Sequence, residues 1–184
     1  MKTLILSIAC VFTLNKLIAQ QSSLAFLDSK IVESKKLQIN DYEHRSLSLN
    51  SNYLEKRKTK EPSNIVTNWK NRLVNFDLKN SSVFNHSEKS TYQIIFKNKQ
   101  VYIIAVYNDD NEILSTNETY RNIKLPFEVM EKISKEYPNY SFGKNIYHIK
   151  YDYKTGIDEH FYRVQIVNGN HKKTIKLDKT LKTI

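Results

Sequence analysis

The stretch LPFEVMEKISKEYP, residues 125–138, and the alternating run NIYHIKYDY, residues 145–153, decide how the fold is read. Pro126 suits the first position of a helix, where its missing N–H is not needed. Phe127, Met130, Ile133 and Tyr137 then recur at three or four residues, one apolar stripe on about three turns. Pro138 ends the helix, because its ring clashes with the preceding turn and it has no amide to donate. Beyond it, Tyr147, Ile149 and Tyr151 alternate with His148, Lys150 and Asp152, and Tyr162, Val164 and Ile166 with Arg163 and Gln165. Ile175 and Leu177 alternate in the same way with Lys176 and Asp178. A period of two is the period of a strand, so the pattern predicts a helix followed by three antiparallel strands.

Upstream, the same signals recur. Ser63 stands where a helix cap is wanted, before Ile65, Trp69, Leu73 and Phe76 on one face. Tyr92, Ile94 and Phe96, then Val101, Ile103, Ala105 and Tyr107, alternate as strands. A two-residue turn at Asn98 and Lys99 places Phe96 opposite Val101 and Ile94 opposite Ile103. An Asn168-Gly169 turn of type I′ places Tyr162 opposite Ile175. A shift of 70 residues lays Tyr92 on Tyr162, Ile94 on Val164 and Asn98 on Asn168. The expected fold class is therefore α+β, with helices packed on antiparallel sheet. It is read as tandem helix-plus-antiparallel-meander repeats over residues 62–121 and 122–184.

The alternation also isolates a second apolar surface. Ile95, Tyr102, Ile104 and Val106 fall on the face away from the main core, and leaving them in water has no obvious gain. They are the candidate partner-binding residues. The competing reading is a lid supplied by residues 24–49.

Met1 and Lys2 open a positive region, and Leu4 to Leu14 form an apolar run shorter than the roughly 20 residues of a membrane span. Ala19 follows as a cleavage residue, so residues 1–19 read as a signal peptide and the expected location is periplasmic or secreted. The one cysteine, Cys10, falls inside that segment. Residues 20–61 read as a polar, partly disordered segment, with Leu24, Leu27 and Ile31 on a possible helix face and Leu47 with Leu49 on a brief strand. The run Lys56, Arg57, Lys58 and Lys60 reads as a solvated linker. The ordered domain is expected over residues 62–184.

The chain carries 29 basic and 19 acidic residues, a formal net charge of +10. That balance allows an anionic partner, but the charge is spread evenly: residues 20–90 carry 12 basic and 8 acidic, and residues 91–184 carry 15 and 11. Nucleic acid is accordingly not the expected partner. Three glycines, Gly143, Gly156 and Gly169, cannot build a phosphate-cradling loop or a dinucleotide fingerprint. The five histidines show no metal-ligand spacing, although His160 and His171 sit on neighbouring strands. Asn108 to Glu112 is too short for a calcium loop before Ile113 resumes a strand. No nucleophile elbow surrounds a serine. No catalytic residue, cofactor or metal is expected. The reading is a non-catalytic binding module whose partner is a protein or envelope component. Its alternatives are an unrecognised hydrolase or metal-dependent enzyme, and a weakly specific binder of anionic surfaces or nucleic acid.

Tyr107 to Leu114, the Leu125-Pro126 helix start, the Tyr137-Pro138 stop and the closing strands through Asp178 together resemble the PepSY-like, or β-lactamase-inhibitor-like, family of secreted bacterial proteins. Asn111 stands where that pattern usually has glycine. The resemblance covers roughly residues 63–180 and implies a small α+β module outside the cytoplasm. In some members such a module inhibits an enzyme by surface contact, and no catalytic residues carry over.

Overall fold

The structure is a computed structural model and describes residues 23–28, 49–58, 61–85, 87 and 89–184. The expected signal peptide, the cysteine and residues 29–48 of the expected lid lie outside the described residues.

Seven strands form one continuous sheet in chain order: β1 (Ser23–Asp28), β2 (Tyr92–Lys97), β3 (Val101–Tyr107), β4 (Ile113–Arg121), β5 (Ser141–Asp152), β6 (Ile157–Asn168) and β7 (His171–Asp178). β1 joins β2 in parallel, and every other pairing is antiparallel. Three short helices accompany the sheet: α1 (Ser51–Lys56), α2 (Asn64–Val74) and α3 (Phe127–Glu136). The expectation of tandem helix-plus-meander repeats is corrected by this topology. β4 and β5 pair from Ser115–Asp152 to Arg121–Ile146, so the strands expected in two units make a single sheet-dominated fold with minor helices. The physical reason is the edge. A separate three-stranded meander leaves the N–H and C=O groups of its outer strands unpaired, and joining β4 to β5 satisfies both rows at once.

Alternation places the core. Ile94, Ile103, Tyr120, Ile149, Val164 and Leu177 are completely buried on one face of the sheet, here called the inner face. α2 covers it with Val66, Trp69 and Leu73, and α3 with Val129 and Ile133. The α3 stripe is rotated from the expected one: Ile133 is buried, but Phe127 is 69% exposed. Pro126 is the residue before the helix and Glu136 the last inside it, so Pro138 acts as the expected stop.

Both hairpin turns lie one residue later than the turn residues suggest. The Asn98 N–H bonds the Val101 carbonyl, so Lys99 and Gln100 are the central pair and Phe96 faces Ile103. Asn98 moves outward because its Oδ1 accepts the N–H groups of Gln100 and Val101. At the last hairpin Gly169 takes φ +55 while Asn170 does not turn positive, which is the pattern of a II′ turn, and Tyr162 faces Leu177. A turn displaced by one residue shifts the pairing by two, so every side chain keeps its face.

The outer edge of β7 is protected. The chain end folds back, with the Ile184 N–H on the Lys176 carbonyl and a bridge between Leu177 and Thr183, and the rest of that edge carries His171, Lys172 and Lys173.

Candidate functional site

The expected contact residues lie together on the outer face. Ile95 and Ile104 are direct neighbours across β2 and β3, and Tyr102 and Val106 flank Ile104 on β3. Ile95 is buried, Ile104 and Val106 are half-buried, and Tyr102 is 37% exposed. Phe26 of β1 is the register partner of Ile95. Across β4 the row continues from Tyr102 to Thr119, whose hydroxyl lies 3.2 Å from His148 Nδ1, and His148 packs on the Phe161 ring with centroids 4.7 Å apart. Lys176 lies 4.4 Å over that ring and Arg163 5.9 Å. Burial and the Arg163 charge hold the His148 imidazole below its ordinary value, so it is neutral around pH 7.

The inner face holds a charged site that the sequence did not disclose. Arg57, read as part of a solvated run, is buried to 1% exposure. Its Nη1 donates to Glu118 Oε1 at 2.8 Å and to the Tyr53 hydroxyl at 3.0 Å, and its Nε to Glu61 at 2.9 Å. Glu118 also accepts from Thr116 at 2.8 Å, from Tyr53 at 3.0 Å and from Tyr120. Burial alone would raise the Glu118 carboxyl. Arg57 and the three hydroxyl donors outweigh it and hold the group ionised, below its ordinary value. Arg57 Nη2 has no partner among the described residues. The only sequence signal for this site was Glu118 at a core-facing position of β4, where an apolar residue is usual.

A second inner-face cluster joins three strands' worth of chemistry. The His160 Nε2–H donates to Asp158 at 2.8 Å, Asp158 takes Lys179 at 2.9 Å, and His160 Nδ1 accepts the Tyr147 hydroxyl at 2.8 Å. Burial lowers the His160 value and the neighbouring Asp158 only partly restores it, so the ring is neutral, and since Asp158 can only accept, the proton sits on Nε2. The order hydroxyl, imidazole, carboxylate is that of a proton relay, but Tyr147 is 4% exposed and stacks at 4.6 Å on Tyr162. The relay closes on itself inside the fold. His171, its expected possible partner for a metal, stands at the opposite end of the sheet. Among the described residues no three of His, Cys, Asp and Glu cluster as metal ligands.

Between the starts of α2 and α3 runs an open groove of about 930 Å³, with Ile65, Leu125 and Met130 on its walls and Glu61, Ser63 and Tyr162 beside them. Ser63 precedes α2 in extended conformation, yet its hydroxyl does not make the expected cap bond and is buried without a partner among the described residues. Burial first, then the charges of Glu61 and Glu128, push the Tyr162 hydroxyl up to about 12.

Asn111 shows why the turn after β3 is not built on glycine. It takes φ +73, and its side chain accepts the Leu78 N–H at 3.2 Å and donates to the Phe76 carbonyl at 2.7 Å. It therefore pins the segment after α2 to the sheet. The turn itself is closed by Asn108 Oδ1, which accepts the N–H groups of Asp110 and Glu112.

No family model matches the chain, and no curated protein or solved structure is significantly similar to it. The resemblance to the PepSY-like pattern thus rests on the residues that carry it.

Proposed function

We propose that the chain is a non-catalytic binding module of the periplasm or cell exterior. It acts by surface contact through the outer sheet face around Tyr102, Ile104 and Val106, with Ile95 at the edge of the patch. The observation that carries the reading is Tyr102. It is an aromatic side chain 37% exposed on a sheet face that none of the three helices covers, beside two half-buried aliphatic groups. Tyrosine at such a place offers large contact area at low entropic cost. A protein or envelope component is the partner class. The Asp158, His160 and Tyr147 relay does not favour an enzyme, since the hydroxyl it would activate is buried against Tyr162.

The test compares the wild-type chain with Tyr102→Lys as immobilised baits in envelope extract, with thermal unfolding of both measured in parallel. The reading expects bound components that are lost with Tyr102→Lys while the unfolding temperature is unchanged. Recovery of the same components by both baits overturns it.

A further inference from the structure

An antiparallel sheet sends successive turns to opposite ends, and the charges of this chain separate along that axis. At one end lie residues 97–101, 121–126, 141–146 and 167–173. They carry Lys97, Lys99, Arg121, Lys124, Lys144, Lys172 and Lys173 and no aspartate or glutamate, while the α3 connection between them adds Glu128, Glu131 and Glu136 against Lys132 and Lys135, so this end keeps a clear excess of cations. At the other end, residues 107–113, 151–158 and 178–182 contain Asp109, Asp110, Glu112, Asp152, Asp158 and Asp178 against Lys154, Lys179 and Lys182, a net negative balance.

Turn chemistry leans the same way, although Asn108 also closes the turn after β3 at the acidic end. At the acidic end Asp109 accepts the Ser90 N–H, Asp152 caps Thr155 and Asp178 caps Thr180. At the basic end the equivalent work falls to asparagine: Asn98 closes its turn, and Asn145 bonds both the N–H and the carbonyl of Ile123. Asparagine gives the acceptor without the negative charge. Lys99, Arg121, Lys124, Lys144 and Lys172 are exposed and make no ion pair among the described residues, and Lys173, also exposed, bonds the Tyr137 hydroxyl at 2.8 Å and lies 4.3 Å over its ring. The two carboxylates of the adjacent groove do not offset them. Glu61 is taken by Arg57 at 2.9 Å and Lys70 at 3.5 Å, and on α3 Glu131 pairs with Lys135 at 2.8 Å and Glu136 with Lys132, which leaves Glu128 a single carboxylate against the cations of this end.

Two large aromatic side chains are exposed at this same end. Phe127, 69% exposed, follows the loop from Arg121, and Phe142, 39% exposed, opens β5 one residue before a bulge. At that bulge Gly143 lets the backbone approach β6, since a Cβ there would stand 3.1 Å from Gln165 Oε1 and 3.3 Å from its carbonyl. Exposed apolar rings among exposed cations match an anionic lipid interface, where rings enter the headgroup layer and lysines meet its negative charge.

We infer that the basic end of the sheet is a peripheral docking site for an anionic phospholipid surface. This goes beyond the contact patch at Tyr102 and does not depend on it. Single-stranded nucleic acid fits less well. It would pair its charge with cations alone, whereas the two apolar rings here lack hydrogen-bonding groups to orient bases, and the oligothymidylate arm of the test below decides between them.

The experiment is co-sedimentation of the full chain with vesicles of phosphatidylcholine alone and of phosphatidylcholine mixed with phosphatidylglycerol, over a salt series. Oligothymidylate serves as the nucleic-acid probe, and thermal unfolding checks each variant. The expected result is binding to the mixed vesicles above the neutral background, weakening as salt rises. Lys124→Gln with Lys144→Gln should weaken it roughly 30-fold, about fivefold per charge, and Phe127→Ser about tenfold. Should the lysine pair perturb folding, Arg121→Gln with Lys172→Gln tests the same charge. Tyr102→Lys should leave vesicle binding intact, which separates this site from the contact patch. Equal binding to neutral vesicles, equal or tighter binding to oligothymidylate, or no loss in the variants overturns the inference.

Discussion

Glu118 and Thr119 are neighbours on β4 and meet opposite conditions. Glu118 points to the inner face, is fully buried, and collects a guanidinium and three hydroxyls. Thr119 points to the outer face, between exposed Tyr102 and half-buried His148. A buried carboxylate has no water to exchange with, so every lone pair needs a protein donor and loss of one donor is costly. The outer-face groups stay in reach of water, and their hydrogen bonds carry little net stability. The inner face thus holds the molecule together, while on the outer face Tyr102 stays exposed beside half-buried Ile104 and Val106.

The sharpest break in that comparison is Glu118→Ala. Leaving Arg57 buried without its carboxylate should cost about 3–5 kcal/mol in denaturant unfolding. Arg57→Met combined with Glu118→Gln should cost clearly less than the sum of the single changes, because the two groups are coupled. Additive losses would mean that the pair does not act as one unit.

Next comes the apolar part of the same face. Ile133→Ala, at a site 1% exposed under α3, should cost about 2–5 kcal/mol. A loss below about 0.5 kcal/mol, ordinary for exposed sites, would show that α3 does not seal the sheet.

A smaller effect tests a single side chain. Asn111→Gly keeps the positive φ but strands the Leu78 N–H and the Phe76 carbonyl, and should cost about 1–3 kcal/mol. A neutral outcome would mean that backbone conformation alone explains the asparagine.

The pH dependence separates the faces differently. Burial holds His160 below its ordinary value, so the unfolded chain takes up the proton first. Its contribution is fully present above the ordinary histidine range near about 6.5 and is lost as pH falls from there through the lower folded value. Glu118 follows in more acid solution. Its stabilisation is present above the ordinary carboxylate range and is lost as pH falls through its lowered folded value. Stability measured against pH should therefore fall in two stages on acidification, and His160→Gln should shrink the first, with His148, also held below its ordinary value, carrying the remainder. A first stage unchanged by this substitution would assign it to other groups.

Least of all should Tyr102→Lys matter to folding. On the open outer face it should change stability by no more than about 0.5 kcal/mol. A larger loss would place a covering segment over Tyr102 and erase the contrast between the faces there.

Period-two alternation by itself determined which side chains enter the core. Tyr92, Tyr107, Tyr147, Tyr151 and Tyr162 were assigned to it by parity, and all are buried. Parity is robust because even a turn misplaced by one residue, as at Asn98 and at Gly169, shifts pairing by two and preserves the face. The stop of α3 at Pro138 was equally legible, since proline acts locally through its own ring and missing amide. Only the tertiary structure decided what lies far apart in the chain. Arg57 and Glu118 are 61 residues apart, and no local pattern marks one basic residue in a run of four as the buried one. The joining of β4 to β5 depends on unpaired edges meeting in space, to which a strand's own sequence is blind. The charge division is of the same kind. Each half of the chain is evenly mixed, and only the alternation of turns between the two ends of one sheet gathers Lys99, Lys124, Lys144 and Lys172 on one side and the turn aspartates on the other.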